Sequence, residues 1–290
     1  MKKITFDTNF EPPINTAVAL SPLIRRMTCN NPGPFTFRGT NTFIVGRGKV
    51  AVVDPGPEDE EHLAALLNAV RGETIDHILI THTHMDHSPL AAKLKAATGA
   101  KTYGAVSPAH SEVVSGIRLD ASIDHEFVPD VQLRDGDILE GKGWSVEAVF
   151  TPGHMANHMG FCLREEKALL IGDHVMAWAT TVVAPPEGNM NDYMNSLRKL
   201  LKRDEDIYHP AHGPERRNPR SLVRGILAHR RMREEAIYNR VKAGDRSIAE
   251  IVKNIYADID PRLHGAAGLS TQAHLARLIE RGKIRRDEIE

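Results

Sequence analysis

The chain has 290 residues, 41% of them hydrophobic and 26% charged, which is the composition of a globular protein with one large domain or two unequal ones. Its 37 basic and 38 acidic residues give a formal charge of −1, which excludes a uniformly basic nucleic-acid coat, and two cysteines are too few for a disulfide-stapled secreted scaffold. The start MKKITFDTNFEPP has no apolar core, and no apolar run approaches the roughly 18 residues of a membrane span, so we expect no signal peptide, no membrane contact and a cytoplasmic location.

Short strands alternate with helices over the first 213 residues. The apolar runs 43–45 and 50–53 are separated by Gly46-Arg47-Gly48, which predicts a β-hairpin. Leucines at helical spacing predict a helix over 58–70, and Ser88 is a suitable N-cap for a second helix over 89–97. A third helix is predicted over 191–202, and further strands over 75–81, 101–106, 145–151, 158–163, 168–172 and 206–209. Strands interleaved with helices predict a layered α/β domain.

The pattern becomes helical after Pro219. A long helix is ended by Gly244, and Ser247-Ile248-Ala249-Glu250 has the spacing of a capping box that begins the next helix. A further helix is predicted over 270–281, closed by Gly282, and 283–285 is predicted as a short strand. We therefore divide the chain into a first domain, residues 1–213, and a smaller helical domain, residues 214–290.

Charge is divided unevenly between these two parts. Residues 214–290 hold 17 basic and 11 acidic residues, a net charge of +6, so residues 1–213 carry −7. Nine of the basic residues lie in 214–243, against three glutamates. This basic run has two interpretations: the solvated face of a helix, or a patch that binds RNA or another anionic polymer.

Histidine is unusually frequent, with 15 residues, as many as Phe, Trp and Tyr together. The densest group follows the apolar run 78–80 and reads Thr81-His82-Thr83-His84-Met85-Asp86-His87. On a loop these side chains can converge, and imidazole with carboxylate suits Zn as well as Fe or Mn, so the group predicts a metal site. Three more candidates each follow another predicted strand: His154, Asp173 and His212. His209 competes for the last position, but the glycine that follows His212 favours His212.

The order and spacing of these residues resemble the metallo-β-lactamase superfamily. Its His-x-His-x-Asp-His signature is matched by 82–87, its Thr-Pro-Gly-His turn by 151–154, its Gly-Asp by 172–173, its final His-Gly by 212–213 and its early Asp-x-Gly by 54–56. The resemblance covers residues 15–213 and implies an αββα sandwich with two metal ions at one edge of the sheets. It implies a first ion held by His82, His84 and His154, a second held by Asp86, His87 and His212, a bridging Asp173, and an Asp54 that orients ligating imidazoles.

The cofactor implied by the resemblance is a pair of Zn²⁺ ions per chain, with Fe or Mn as alternatives. With two carboxylates and a bridging hydroxide, such a site keeps a net positive charge, which stabilises an anionic transition state at a carbonyl or phosphoryl centre. Because a metal lowers the pKa of water, no serine or cysteine nucleophile is required. Asp86 is the expected general acid or base beside the hydroxide. Together these features predict a metal-dependent hydrolase.

The C-terminal helices are similar to those of the β-lactamase-like protein 2 subgroup, in which a winged-helix-like domain follows the sandwich. The segments 29–34, Gly39-Thr40-Asn41-Thr42 and 192–197 also match this subgroup. The first two are loop formers with two interpretations: they line the metal cleft, or they are purely structural turns. Four residues are predicted to contact substrate: Asn41, His158, His174 and Tyr193. Seven histidines are expected to be structural or exposed: His62, His77, His110, His125, His229, His264 and His274.

Two functions stay open at this point. The first is hydrolysis of a small ester, thioester or lactone, with the C-terminal helices shaping a pocket or a homodimer interface. The second is an endoribonuclease or other phosphodiesterase, in which the basic residues of 214–243 bind phosphates. The residues beyond 213 include only Tyr238 and Tyr256 as aromatic side chains, which argues against stacking of single-stranded bases. Hydrolysis of β-lactams is not expected, because the β-lactamases of this superfamily tend to carry Cys at the position of Asp173.

Overall fold

Two β-sheets form the centre of the molecule in a computed structural model that describes residues 4–106, 123–257 and 264–289. The strands of the first sheet, hydrogen-bonded in this order, are β1 (Val18–Ala19), β2 (Ile24–Thr28), β3 (Asn41–Arg47), β4 (Lys49–Val53), β5 (Thr74–Leu79), β6 (Lys101–Gly104) and β7 (Val131–Gln132). The strands of the second, again in order, are β8 (Ile138–Gly141), β9 (Trp144–Phe150), β10 (Met159–Leu163), β11 (Ala168–Gly172), β12 (Ile207–Pro210) and β13 (Arg216–Arg217). The α-helices are α1 (Glu60–Ala69), α2 (Leu90–Thr98), α3 (Met190–Leu200), α4 (Arg220–Lys242), α5 (Ile248–Ile255) and α6 (His264–Glu280).

Alternation along the strands divides the core into layers. In β3, Phe43 packs between the two sheets, whereas Ile44 on the opposite face packs with residues of α1 and α2. In β10, Phe161 packs between the sheets, and Cys162 packs with residues of α3 and α4. Helices therefore cover the outer face of each sheet, and the predicted αββα sandwich is confirmed.

One edge of this sandwich gathers the ends of its parallel strands. In the first sheet β4 and β5 are parallel, and in the second β11 and β12 are parallel. At this edge the two sheets touch, because the backbone N–H of Asn41 donates to the carbonyl of Ala211 at 2.7 Å. Loops that follow these four strands consequently converge on one place, as functional loops do in α/β folds.

The long helix α4 contributes to two packing clusters. Its first half packs with α3 and the second sheet through Val223 and Ile226, and its second half packs with α5 and α6 through Ile237 and Val241. The predicted capping box at Ser247 and Glu250 is present at the start of α5. The proposed division between 213 and 214 stays a prediction, since β13 beyond it pairs with β12 before it. None of the helices described here has the length and apolarity that a membrane crossing requires.

The structure corrects several details of the sequence prediction. Ser88 does not cap α2; its hydroxyl donates to Asp124 instead, at 2.7 Å, and α2 begins after Pro89 without a side-chain cap. The predicted strand at 283–285 is absent, and Ile284 packs into the helical cluster of α4, α5 and α6. Helix α6 begins at His264 rather than at 270, and β1, β2, β7, β8 and β13 were not predicted. His110 lies outside the described residues.

Candidate metal centre

Four loops at this sheet edge bring the predicted metal-binding residues together. The loop after β5 carries His82, His84, Asp86 and His87, and single residues follow β9, β11 and β12. They form two groups that could each hold a metal ion: His82, His84, His154 and Asp173, and Asp86, His87 and His212. Within each group the candidate ligand atoms all lie within 4.8 Å of one another. His209, the competitor for the last position, is buried against Phe43, outside both groups.

The first group turns its imidazole nitrogens toward one another. His82 Nε2 and His154 Nε2 each lie 3.0 Å from His84 Nδ1. The other nitrogens of the two outer rings are committed, because His82 Nδ1 donates to Thr81 Oγ1 at 2.9 Å and His154 Nδ1 donates to the Val182 carbonyl at 2.7 Å. Both Nε2 atoms are therefore lone-pair acceptors, and one proton on His84 cannot satisfy both of them. Lone pairs that converge in this way fit a metal cation.

The second group adds carboxylates to the imidazoles. Asp86 Oδ2 lies 3.1 Å from His212 Nε2 and 3.3 Å from His87 Nε2. Asp173 lies between the two groups, with Oδ1 3.4 Å from His212 Nε2 and Oδ2 3.6 Å from His154 Nε2. His87 Nε2 and Asp173 Oδ1 are buried without a hydrogen-bond partner among the described residues. Such orphaned atoms are costly unless a further group binds them, and a divalent cation fits this donor set.

Electrostatics distinguish the two groups. Burial, with the neighbouring His154, lowers the pKa of His84 to about 3, and burial also lowers the pKa of His154 itself. In the second group burial again opposes charge, but the carboxylates of Asp173 and Asp86 outweigh it and raise the pKa of His212 to about 10. The three imidazoles of the first group are thus neutral and ready to coordinate, whereas the second group holds a proton that a metal ion would displace.

Asp54 holds two of the histidines in place. Its Oδ2 accepts from His87 Nδ1 at 3.0 Å and from Thr81 Oγ1 at 2.7 Å, and its Oδ1 accepts from the Thr81 backbone N–H at 2.8 Å. Since Thr81 in turn accepts from His82, one carboxylate orients both rings, as outer carboxylates do around metal sites. Thr81 was not singled out from the sequence; its place between strand β5 and His82 is the one signal that points to it. Asp54 itself has a left-handed φ of 48°.

A cavity of about 320 Å³ opens above the two groups. His84, Asp86, His154, Asp173 and His212 line it on one side. Its other walls are mainly apolar and come from Phe35, Thr36, Met85, Val182 and Ala184. No residue of the two segments that were considered for the cleft, 29–34 and 39–42, lines this cavity; Phe35 and Thr36, just beyond Pro34, do. Among the acidic side chains Asp86 is the more exposed, at 26% against 10% for Asp173.

The four predicted substrate-binding residues are buried and do not line this cavity. Asn41 Nδ2 donates to the carbonyls of Pro210 and Gly213, at 3.1 and 3.0 Å, and so fixes the loop that carries His212. His158 Nε2 accepts from the backbone N–H of Asp173 at 3.0 Å. Tyr193 Oη donates to the carbonyl of His174 at 3.0 Å. In this structure they shape the loops around the metal groups, and substrate contact by any of them stays a prediction.

No cysteine offers an alternative nucleophile. Cys29 and Cys162 are both free thiols and both buried. Burial, reinforced by Asp59 in one case and Glu205 in the other, raises the pKa of each to about 12. Both are therefore protonated near neutral pH, and the thiolate that nucleophilic chemistry requires is absent.

Comparisons with known proteins agree with this fold and site. A family model described as the metallo-beta-lactamase superfamily matches residues 35–212, and one described as the beta-lactamase associated winged helix domain matches residues 247–289. The chain is 28% identical over 285 residues to the Beta-lactamase-like protein 2 homolog of Caenorhabditis elegans, covering 93% of this chain and 89% of that protein. It is 32% identical over 232 residues to an atrochrysone carboxyl ACP thioesterase of Aspergillus fumigatus, covering 78% of this chain and 67% of the relative. The fold matches a crystal structure of a beta-lactamase domain protein from Burkholderia ambifaria with a TM-score of 0.77, at 20% identity, over 94% of this chain and 91% of that one.

Proposed function

This chain belongs to the metallo-beta-lactamase superfamily and is a hydrolase with a carboxyl-terminal winged-helix domain, and from that premise we propose that it uses two metal ions, zinc in the first instance, to cleave an ester, thioester or lactone. The observation that carries this proposal is the cavity itself. Five of the seven candidate ligands line it opposite mainly apolar walls, which suits a carbonyl substrate with an apolar substituent.

The donor set supports a pair of ions rather than one. Each of the two groups supplies three or more ligand atoms, and Asp173 lies within reach of both. When bound, such ions would supply a water of lowered pKa and a Lewis acid for the carbonyl oxygen. The relative named as an acyl-carrier-protein thioesterase makes the thioester the first substrate to try.

The chain's own residues would then place the reactants and move the proton. The apolar side chains of Phe35, Met85 and Val182 would hold the substituent of the carbonyl and exclude bulk water. Asp86 is the partly exposed carboxylate of the cluster, so it can pass the proton of the attacking water to the departing thiol or alcohol. Asp54 and Thr81 would keep His87 and His82 aligned throughout.

The proposal is tested by a turnover panel on zinc-loaded protein, with thioesters, lactones, a phosphodiester and RNA as substrates. We expect hydrolysis of at least one thioester or lactone, its loss in His84→Ala, and retention in His209→Asn, a buried histidine outside the cluster. Activity on no carbonyl substrate, or activity that survives His84→Ala, would contradict it.

A second candidate, cleavage of RNA, is favoured by one specific surface. Arg198 and Lys202 of the α3 region and Arg224 and Arg231 of α4 line a shared groove of about 600 Å³. None of the four has a carboxylate partner in the described parts of the chain. Cations without carboxylate partners on one groove are typical of a surface that binds a phosphate backbone.

The basic run 214–243 itself supports RNA binding less than its composition indicated. Six of its nine basic residues already have partners within the protein: Arg217, Arg220, Arg230, Arg233, Arg240 and Lys242. If RNA is the substrate, the affinity for a single-stranded oligonucleotide falls steeply with salt, and Arg224→Glu with Arg231→Glu weakens it. An affinity that does not change with salt would exclude this candidate.

A further inference from the structure

A second, larger cavity lies beside the metal centre. It has a volume of about 640 Å³ and lies between the sandwich and the carboxyl-terminal helices. The loop after β11 contributes 176 and 178–182, α4 contributes His229, Arg230 and Arg233, and α6 contributes residues near Leu269. Phe35 and Val182 line this cavity as well as the cavity above the metal groups. The two spaces are therefore neighbours that share a wall.

The larger cavity combines apolar walls with cationic groups. Most of its lining is apolar or aromatic: Pro34, Phe35, Met176, Trp178, Ala179, Val182, Tyr256, Ala266, Ala267 and Leu269. Two arginines line it, and no described Asp or Glu does. A ligand that fits this space must be largely apolar, and a negative charge on it would meet positive groups without repulsion.

Four buried side-chain nitrogens around this cavity have no hydrogen-bond partner among the described residues, and three of them are indole or guanidinium N–H donors. The four nitrogens are Trp178 Nε1, His229 Nδ1, Arg230 Nε and Arg233 Nε. Arg230 is 3% exposed, so this is a buried guanidinium and not a surface one. Indole and guanidinium groups can only donate. A ligand that satisfies them must bring acceptor oxygens.

The two arginines have different tasks. Arg230 donates to the carbonyl of Thr181, and its guanidinium lies 5.2 Å from the centre of the Tyr193 ring, so it anchors the loop that also carries Val182. Arg233 stacks on Tyr256 at 4.5 Å and makes no ion pair with a described carboxylate. Arg230 is thus a positioning residue, and Arg233 has the free charge.

We propose that the larger cavity binds the anionic arm of the substrate: a carboxylate or phosphate, carried by an apolar chain, whose reactive carbonyl lies over the metal groups. This inference rests on the proposed function and adds a substrate class to it. The oxyanion would accept from Arg233, His229 and Trp178, and the apolar chain would lie along Phe35 and Val182 into the smaller cavity. The anion can be attached to the acyl side or to the leaving thiol.

Direct binding tests the site without reference to hydrolysis. Titration calorimetry on the metal-loaded full chain would use octanoate, octyl phosphate and octan-1-ol as probes. We expect at least one of the two anions to bind more than ten-fold more tightly than the alcohol. Arg233→Gln should remove that preference, and Lys253→Gln, which removes an exposed cation of α5, should keep it. Equal binding of all three probes, or an anion preference that survives Arg233→Gln, overturns the inference.

Kinetics then separate the two positions of the anion. Three thioesters are compared: the hexanoyl and adipoyl esters of N-acetylcysteamine, and hexanoyl phosphopantetheine. A ten-fold gain in kcat/KM for the adipoyl ester places the anion on the acyl side, and the same gain for the phosphopantetheine ester places it on the thiol side. Arg233→Gln should abolish the gain by raising the KM of the anionic ester. Turnover of the neutral ester without a gain for either anion contradicts this inference and leaves the proposed function intact. Anion binding without any turnover contradicts the proposed function alone.

Discussion

The metal groups at the sheet edge and the cavity wall on α4 bury their polar atoms in opposite ways. At the sheet edge, converging imidazole lone pairs and the carboxylates of Asp86 and Asp173 face one another, and the missing partner is a cation. In the larger cavity, N–H groups of Arg230, Arg233 and Trp178 are buried without acceptors among the described residues, and an anion is the partner that we propose. The two neighbouring sites therefore favour ligands of opposite charge, although they lie side by side.

The largest expected effect concerns the metal groups at the sheet edge. Asp173→Ala removes the carboxylate that lies between the two groups, so metal content should fall from about two ions per chain to one or fewer. Since a metal ion contributes several kcal/mol to the stabilisation of the transition state, kcat/KM should fall by about three orders of magnitude. Elemental analysis with steady-state kinetics measures both. His209→Asn should change neither. If Asp173→Ala keeps full metal content and activity, Asp173 is not part of the metal centre.

The backbone next to His154 gives the second effect, on stability. Gly153 has a φ of 137°, and a Cβ there would lie 2.2 Å from Tyr193 Cα. Gly153→Ala therefore combines backbone strain with a clash against α3, and the free energy of unfolding should fall by about 3 kcal/mol or more. Gly99→Ala is the matched control, because Gly99 also has a positive φ of 74° but no described residue lies within 4 Å of the added Cβ. We expect about 1 kcal/mol for the control in urea unfolding. Equal losses in the two variants would show that the contact with Tyr193 is not tight.

The third effect concerns Glu234, an acidic residue of α4 whose carboxylate is already paired with cations of the protein. Glu234 binds Arg277 and Arg281, and His274 is 3.6 Å away. Burial opposes its charge, but these partners lower its pKa to about 2. Because the folded pKa lies below the unfolded one, the unfolded chain binds the proton first, and this stability is present above about pH 4.5 and lost as the pH falls toward 2.

At pH 7, Glu234→Gln should therefore lower the free energy of unfolding by about 1 to 2 kcal/mol, because solvent screens part of the interaction, and the difference from the natural protein should shrink steadily below pH 4.5. Urea unfolding at a series of pH values measures this difference. Glu235→Gln, at an exposed neighbouring position, should show no such dependence. A difference that is constant from pH 7 to pH 3 would mean that Glu234 does not titrate as described.

The smallest expected effect concerns the orientation of the metal-binding rings. Asp54→Asn keeps the shape of the side chain but weakens the acceptor that holds His87 and Thr81, so metal affinity should fall by about 10- to 100-fold. Competition with a chelator measures the affinity. Asp59→Asn, at the N-cap of α1, is the control and should leave metal affinity unchanged. An unchanged affinity in Asp54→Asn would show that the backbone alone fixes His87.

The sequence predicted the metal groups at the sheet edge far better than the larger cavity, for a physical reason. The cluster is local: four of its seven residues lie within 82–87, and the others directly follow strands whose apolar runs are easy to recognise. The carbonyls of Val182 and Gly39, which accept from His154 and His212, could not be predicted, because backbone groups leave no trace in residue identity. The same holds for the apolar wall, since Phe35 reaches the cavity only through the path of its loop.

The larger cavity arises from packing between distant segments. The composition of the sequence indicated a basic surface there and did not indicate a cavity. The basic run on α4 was interpreted as one exposed face or patch, yet Arg230 is buried against Tyr193, Arg233 stacks on Tyr256, and Arg224 faces a different groove. Helical periodicity gives the stripe of apolar residues but not which neighbours cover the rest of the helix. The errors at Ser88 and 283–285 have the same origin, because tertiary partners at Asp124 and in the C-terminal cluster outweighed local preference.

The most direct test of the central claim is a zinc titration of metal-free protein, with kcat/KM for a hexanoyl thioester measured at each step. If the two groups at the sheet edge form one hydrolytic centre, activity should rise with added zinc and reach a plateau at about two ions per chain. A plateau at one ion per chain, or a metal-free protein that already has the full kcat/KM, would contradict the claim.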